Sequence, residues 1–277
     1  MNNVCIGADP ELFLKKNGKF HSAYGIIPGT KRKPHPVPGG AVQIDGMALE
    51  FNVNPVEIAL NFTKNIESVL YHLSSMLPDD MLMTITPWAK FSPEHMADQP
   101  RVAKQLGCDP DFNPYTMDYN DLPKDNKVLR TAAGHVHIGF LGKDNEVDDP
   151  YHPEHLRCCA NLALELDCTL GLYSTFIDHD IVRREMYGCA GAFRPKKYGM
   201  EYRVPSNYWI KNNKTIESVF NIAHHTAIQV LYNNVSYQEE IVNTCNRTII
   251  DVQSIINNGI YNDARDVLTG LDIEEYI

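Results

Sequence analysis

Apolar and polar positions alternate with period two through several short runs of the chain, the spacing of a half-buried strand. Residues 4–7 lead into Asp9-Pro10-Glu11-Leu12-Phe13-Leu14 and the turn Asn17-Gly18, which predicts a strand and hairpin. Residues 42–46 and 49–53 flank the turn at Asp45-Gly46 and predict a second strand pair, closed by Asn54-Pro55. Further strands are expected at 81–85, 132–140 and 199–204. Elsewhere helical spacing takes over. Over 56–77 the residues Phe62, Ile66, Val69, Leu73 and Leu77 fall on one face and Pro78 ends the run, so an amphipathic helix is predicted against the sheet. Residues 156–176 form a long apolar-periodic segment with Pro153 at its first turn, and 213–236 and 237–257 predict two more helices.

Two stretches carry no period. Residues 21–40 are rich in Gly, Pro and basic side chains, and 93–127 mix Pro, Asp, Asn and Tyr; both are expected to be irregular loops. The turn-linked strands favour an α+β class with a mainly antiparallel sheet over a doubly wound one. The expected organisation is a catalytic core over 1–210 with a helical C-terminal part, 211–277, packed on the same domain.

At 277 residues and 43% hydrophobic content the chain can bury a sizeable core. A net charge of -10 leaves no basic footprint, so nucleic acid is not expected as a main partner. The seven cysteines lack metal-finger spacing and read as reduced thiols. The first residues have no charged region followed by an apolar stretch, and nowhere do about 18 apolar residues run together, so no membrane association and a cytoplasmic location are expected.

Chemistry concentrates in pairs two residues apart. Asp9 and Glu11, Glu50 and Asn52, His135 and His137, and Glu201 and Arg203 each share one face of a predicted strand. One such pair could be a solvated edge. Several on separate strands imply a shared polar site, because isolated buried charges are strongly disfavoured. The stretch Gly134-His135-Val136-His137-Ile138-Gly139 is the most specific local signal; His-x-His fits a metal ligand, a general base or a phosphate donor. Arg183, Arg184, Arg194 and Arg203 follow in a Gly- and aromatic-rich window, and guanidinium forks suit phosphate and carboxylate oxygens. Of Arg183 and Arg184, one is expected to pair with Glu185 or surface carboxylates. Lys196 and Lys197 are expected in a solvated loop.

The ordered set Gly7-Ala8-Asp9-Pro10-Glu11-Leu12-Phe13, Asp45-Gly46 with Leu49-Glu50-Phe51-Asn52-Val53-Asn54-Pro55, Gly134-His135-Val136-His137-Ile138-Gly139, Arg183-Arg184 with Tyr187-Gly188, and Glu201-Tyr202-Arg203 with Asn207 and Trp209 resembles the phage-type carboxylate-amine ligases, type 2. These amidoligases belong to the glutamine-synthetase-like superfamily, and the resemblance spans residues 4–210. It implies a curved, mainly antiparallel sheet of glutamine-synthetase-like type whose concave face holds ATP and two or more Mg²⁺ ions, with Mn²⁺ as an alternative. Glu11 looks like the first-strand metal-binding acid and Glu50 like the second-strand acid. His135 or His137 matches the central-strand histidine, and Glu201 and Arg203 look like the late acid and the phosphate-binding arginine. Asp9 stands where related ligases often have Glu.

On that resemblance the expected metal ligands are Asp9, Glu11, Glu50, His135 and Glu201. His135, His137, Arg194 and Arg203 are expected to bind the nucleotide, and Glu50, Arg184, Glu201 and Arg203 to act in the reaction. The implied activity is ATP-dependent joining of a small-molecule or peptide carboxylate to an amine through an acyl phosphate, in the host cytoplasm if the chain is phage-encoded. A homo-oligomer is compatible with it. Two alternatives stay open at this level: a metal-dependent hydrolase centred on His135 and His137, and a non-catalytic phage-associated binding protein.

Overall fold

The computed structural model describes residues 4–104, 111–121, 128–271 and 273. The strands in chain order are β1 (Cys5–Ala8), β2 (Glu11–Lys16), β3 (Lys19–His21), β4 (His35–Val37), β5 (Gly40–Asp45), β6 (Ala48–Val56), β7 (Met81–Thr84) and β8 (Trp88–Lys90), then β9 (Phe112–Asn113), β10 (Asp118–Tyr119), β11 (Leu129–Thr131), β12 (Val136–Gly139), β13 (Phe193–Lys196) and β14 (Gly199–Tyr202). The helices are α1 (Ala59–Ser75), α2 (Pro93–Asp98), α3 (Arg101–Lys104), α4 (Pro153–Leu166), α5 (Leu172–Ile177), α6 (Ile181–Met186), α7 (Asn213–Tyr232), α8 (Tyr237–Cys245), α9 (Ile249–Asn258) and α10 (Tyr261–Gly270).

Among the described residues one large sheet runs β10-β9-β13-β14-β12-β1-β6-β2-β3, with β5 also on β6, β4 on β5 and β7 on β2. Every pairing in it is antiparallel. The α+β class expected from the hairpins is therefore the observed one. The period-two pattern decides which side is which. Ile6, Leu12, Leu49, Phe51, Val136, Ile138, Met200 and Tyr202 enter the main core, while Glu11, Glu50, His137 and Glu201 occupy the alternate positions and face the other way. Helix α1 covers β5 and β6, α4 covers β13 and β14, and α7 lies across β1 and β12. A smaller cluster built on Phe13, Met47, Phe91 and Met96 closes the far end of the polar face under the two-stranded β8–β11 ribbon.

Local chemistry explains the joints. Gly46, at φ 57°, makes the tight turn between β5 and β6 that a side chain would strain. Between β1 and β2, Pro10 supplies no N–H, and its carbonyl accepts from the Phe51 amide at 3.1 Å. Both strands therefore run along β6, with Asp9 at the joint.

Four expectations change. The segment 237–257 is two helices, because Asn246 adopts a left-handed conformation after α8 and Thr248 with Asp251 forms a reciprocal capping box that starts α9. The 156–176 helix is interrupted by a π turn at Asp167–Gly171, where Thr169 Oγ1 turns back to the Glu165 carbonyl. The 21–40 segment is not wholly irregular, since β4 pairs with β5. Within 93–127 lie α2, α3, β9 and β10, while 105–110 and 122–127 fall outside the described residues. No helix among the described residues is long and apolar enough to cross a membrane.

Candidate active site

The strand register places the functional side chains in a row. Gly7 on β1 stands opposite His137 on β12, His137 opposite Glu201 on β14, and Glu201 opposite Arg194 on β13. At its other edge the sheet sets Glu11 of β2 opposite Glu50 of β6, and Glu50 opposite Gln43 of β5. Asp9 lies between these halves. Gly134 lets the chain pass close beside this row: a Cβ there would sit 2.3 Å from the Trp209 indole nitrogen, which instead donates to the Gly134 carbonyl.

Asp9 bridges the histidines, with Oδ1 3.1 Å from His135 Nδ1 and Oδ2 3.1 Å from His137 Nε2. Their remaining ring nitrogens are also engaged, His135 Nε2 by the Tyr187 hydroxyl at 3.3 Å and His137 Nδ1 by the Tyr198 hydroxyl at 2.5 Å. Burial opposes the charge on Asp9, but His137 and His135 outweigh it and hold the carboxyl well below its usual range. Burial and Arg203 push His135 down to about 4, so it is neutral near pH 7. His137 is raised: burial works against its charge and Asp9 with Glu201 prevails.

Glu201 is the focus of the cations. Its Oε1 is in close ion contact with Arg203 and lies 3.2 Å from His135 Nδ1; its Oε2 is 2.6 Å from Lys196 Nζ and 3.6 Å from Arg194. Arg203 also meets Asp111 Oδ1 through Nε at 2.5 Å and lies over the Tyr187 ring, 5.1 Å from its centroid. Lys196, expected in a solvated loop, instead ends β13 on the same face as Arg194, because the strand runs on through Pro195 to the turn. Asp9, His137 and Glu201 offer ligand atoms all within 4.8 Å of one another, a spacing that suits one metal ion.

The other half is acidic. Glu11 Oε2 accepts from the Ala133 amide at 2.9 Å, and Glu50 Oε2 accepts from Gln43 Nε2 at 2.7 Å, whose own Oε1 accepts from Asn52 Nδ2 at 3.3 Å. Asp45 pairs with Lys31 at 2.6 Å. Burial, then the Asp45 charge, pushes Glu11 up to about 8. Burial and the charges of Asp9, Asp45 and Glu11 raise Glu50 well above its usual range. Such a group of buried carboxylates stays ionised together when a cation joins it, and a hard oxygen-ligand set of this kind fits Mg²⁺.

The structure thus brings Asp9, Glu11, Glu50, His135, His137, Arg194, Glu201 and Arg203 onto one face. It does not bring Arg184 there. Arg184 is buried in α6 and donates to Ser174 Oγ at 3.0 Å and the Asp178 carbonyl at 3.4 Å, while Arg183 donates to the carbonyls of Val204 and Pro205 at 2.8 and 2.9 Å. Among the described residues neither pairs with a surface carboxylate; their helix presents both to the core, where carbonyls and the Ser174 hydroxyl accept their hydrogen bonds. Asp45, Lys31, Asp111, Tyr187 and Tyr198 were missed as site residues. Only Asp45, at its hairpin turn beside the Glu50 strand, carried a usable signal.

An antiparallel sheet with helices on one face and converging acids and cations on the other defines an α+β fold with a polar site on one sheet face. Residues 150–245 match the family model described as Phage phiEco32-like COOH.NH2 ligase-type 2. That match takes in α4 to α8, and with them Arg194, Lys196, Glu201 and Arg203; over this stretch the resemblance read from the motifs holds. Among solved structures, the crystal structure of a bifunctional glutathione synthetase from Pasteurella multocida aligns with a TM-score of 0.53 at 11% identity, over 100% of this chain and 45% of that one. The chain therefore spans less than half of that protein's length. The crystal structure of a novel glutamine synthase homolog aligns at 11% identity and a TM-score of 0.37, over 98% of this chain and 69% of that one. No curated protein matches the chain.

Proposed function

We propose that the chain is an ATP- and Mg²⁺-dependent carboxylate-amine ligase that forms an amide or peptide bond through an acyl phosphate. The carrying observation is the division of one buried sheet face into an acid half around Glu11, Asp45 and Glu50 and a cation half where Lys196, Arg194 and Arg203 converge on Glu201. A nucleotide bound through divalent ions needs both.

Glu11, Glu50 and Asp9, with Glu201, would hold the metal, which when bound supplies charge neutralisation and orientation of the phosphate chain. Arg203, Arg194 and Lys196 would neutralise the transferring phosphoryl group. A carboxylate oxygen of the substrate attacks the γ-phosphorus, the bond to the β-phosphate oxygen breaks and ADP leaves. The amine then attacks the acyl carbon, the carbon–oxygen bond to phosphate breaks, and phosphate departs. The proton the amine loses passes to solvent water. The histidines position Asp9 between the two halves. His137 stands with Asp9 and Glu201 in a cluster that would also suit a zinc ion, and the dependence of turnover on ATP separates that reading from ligation.

The test is incubation of the purified protein with ATP, Mg²⁺ and a panel of amino acids, amines and peptides while ADP and new masses are followed. ADP that accumulates only when a carboxylate and an amine are both present supports ligation. Zinc-dependent hydrolysis indifferent to ATP, or nucleotide-independent partner binding without turnover, would overturn it.

A further inference from the structure

Arg203 is gripped from two sides by carboxylates on different elements. Glu201, two residues before it in β14, meets it through Nη1, and Asp111, which immediately precedes β9, meets it through Nε. Both carboxylates and the guanidinium are buried. These are ion contacts without hydrogen-bond geometry, so the two carboxylates hold the guanidinium by charge from two sides, and removing either lets it move toward the other. The Tyr187 ring, over which Arg203 lies, adds a third constraint.

Asp111 is itself firmly held. Its carbonyl accepts from the Asn120 amide at 2.7 Å, and Phe112 pairs with Phe193 across the edge of the main sheet and packs edge-on against its ring at 5.6 Å. Asn113 Nδ2 donates to the Ala190 carbonyl at 3.4 Å, and the Tyr115 hydroxyl donates to Asp167 at 2.8 Å. The 111–121 hairpin is thus fastened on either side of the residue that reaches Arg203. Lys196 and Arg194 also stand against Glu201, whereas the ion contact of Asp111 is with Arg203.

We propose that Asp111 is a positioning residue that sets the Arg203 guanidinium for the nucleotide phosphates. This rests on the ligase reading. It predicts a role for Asp111 in affinity and rate beyond holding the hairpin in place, and Tyr115, which fastens the same hairpin without touching Arg203, is the control.

The experiment compares wild type with Asp111→Asn, Asp111→Ala, Asp111→Glu and Tyr115→Phe. It measures Mg²⁺-ATP binding by calorimetry, KM for ATP and kcat by ADP release, and melting temperature. Misplacing a group by about 1 Å costs on the order of 10²-fold in favourable cases, so Asp111→Asn and Asp111→Ala are expected to weaken ATP binding and raise KM by about tenfold or more. Asp111→Glu should recover part of the loss, and Tyr115→Phe should lower the melting temperature while ATP affinity stays within about twofold. Unchanged ATP affinity in Asp111→Asn, or an equal loss in Tyr115→Phe, overturns the inference and leaves the ligase reading standing. A wild-type protein that binds no ATP overturns the ligase reading, and the inference falls with it.

Discussion

At the Glu201 end of the polar face, each carboxylate has cations against it: Arg203, Lys196 and Arg194 surround Glu201, and Arg203 also meets Asp111. At the Glu11 end, Asp45 has Lys31, whereas Glu50 has the neutral Gln43 and Glu11 a backbone amide. The two halves are built from the same hairpin chemistry and lie on one sheet, yet cations gather at one end and acids at the other. On the proposed ligase reading, the first end receives the phosphates and the second the divalent ion.

The strongest way to break the comparison is Glu50→Gln. It keeps the shape and removes a charge that burial and three neighbouring acids oppose. Divalent-ion affinity and turnover should fall by on the order of 10²-fold or more, while the metal-free protein at pH 7.5 should melt no lower than wild type. Titration calorimetry with Mg²⁺ and a thermal melt decide it; near-normal metal affinity would remove Glu50 from the ligand set. At the other end the same kind of change should act in reverse. Arg203→Ala leaves Asp111 buried without its ion-pair partner, while Glu201 keeps Lys196 and Arg194; the change costs about 3–5 kcal/mol of stability. Arg203→Lys keeps the charge and loses the fork; it should lower turnover by about 10²-fold, read as ADP release, with only a modest change in melting temperature.

A smaller effect follows from pH. Glu11 is raised to about 8 in the metal-free fold against an ordinary value of 4.5. Its contribution to stability is therefore fully present below pH 4.5 and is lost as pH rises through about 8. A divalent ion that binds the carboxylate form reverses the penalty. His135, lowered to about 4 from 6.5, acts in the opposite sense and only as pH falls below 6.5. Between pH 6.5 and 8 the rise in melting temperature caused by Mg²⁺ should therefore grow with pH. A shift that is flat or shrinking across that window would place the ion away from Glu11.

Much of this face was legible because a strand has period two. The pairs Asp9 with Glu11, His135 with His137, and Glu201 with Arg203 were legible from the period of two, although in each pair one member, Asp9, His135 or Arg203, lies just beyond the end of its strand. The residues missed come from places where sequence distance says nothing about direction. Asp111 reaches Arg203 across 92 positions from a hairpin whose two-residue strands leave no periodic trace. Lys31 arrives on the 21–40 segment, whose Gly and Pro content reads as loop, and Lys196 sits beside Pro195, which reads as a turn rather than a strand. The helix break at Asn246 was equally hidden, because the apolar spacing runs on through it and only the Thr248–Asp251 capping box marks the restart.

Arg184 gives the sharpest contrast with Arg203, and the smallest expected effect on the reaction. Both are buried arginines in the stretch that matches the ligase family, but Arg203 directly follows β14 and faces the acids, whereas Arg184 stands on α6 and binds Ser174 and the Asp178 carbonyl. Burial lowers its proton affinity, with Asp178 opposing, so its charge belongs to the helical core rather than to the polar face. Arg184→Gln should lower the melting temperature, since buried acceptors lose their donors at about 1–3 kcal/mol. The KM for ATP should stay within about twofold in the fraction that remains folded. A kinetic comparison at a temperature well below both melting points separates the two arginines: a large rise in KM for Arg184→Gln would mean that the nucleotide reaches past the sheet face to α6, and the division of charge between the two ends would then not delimit the site.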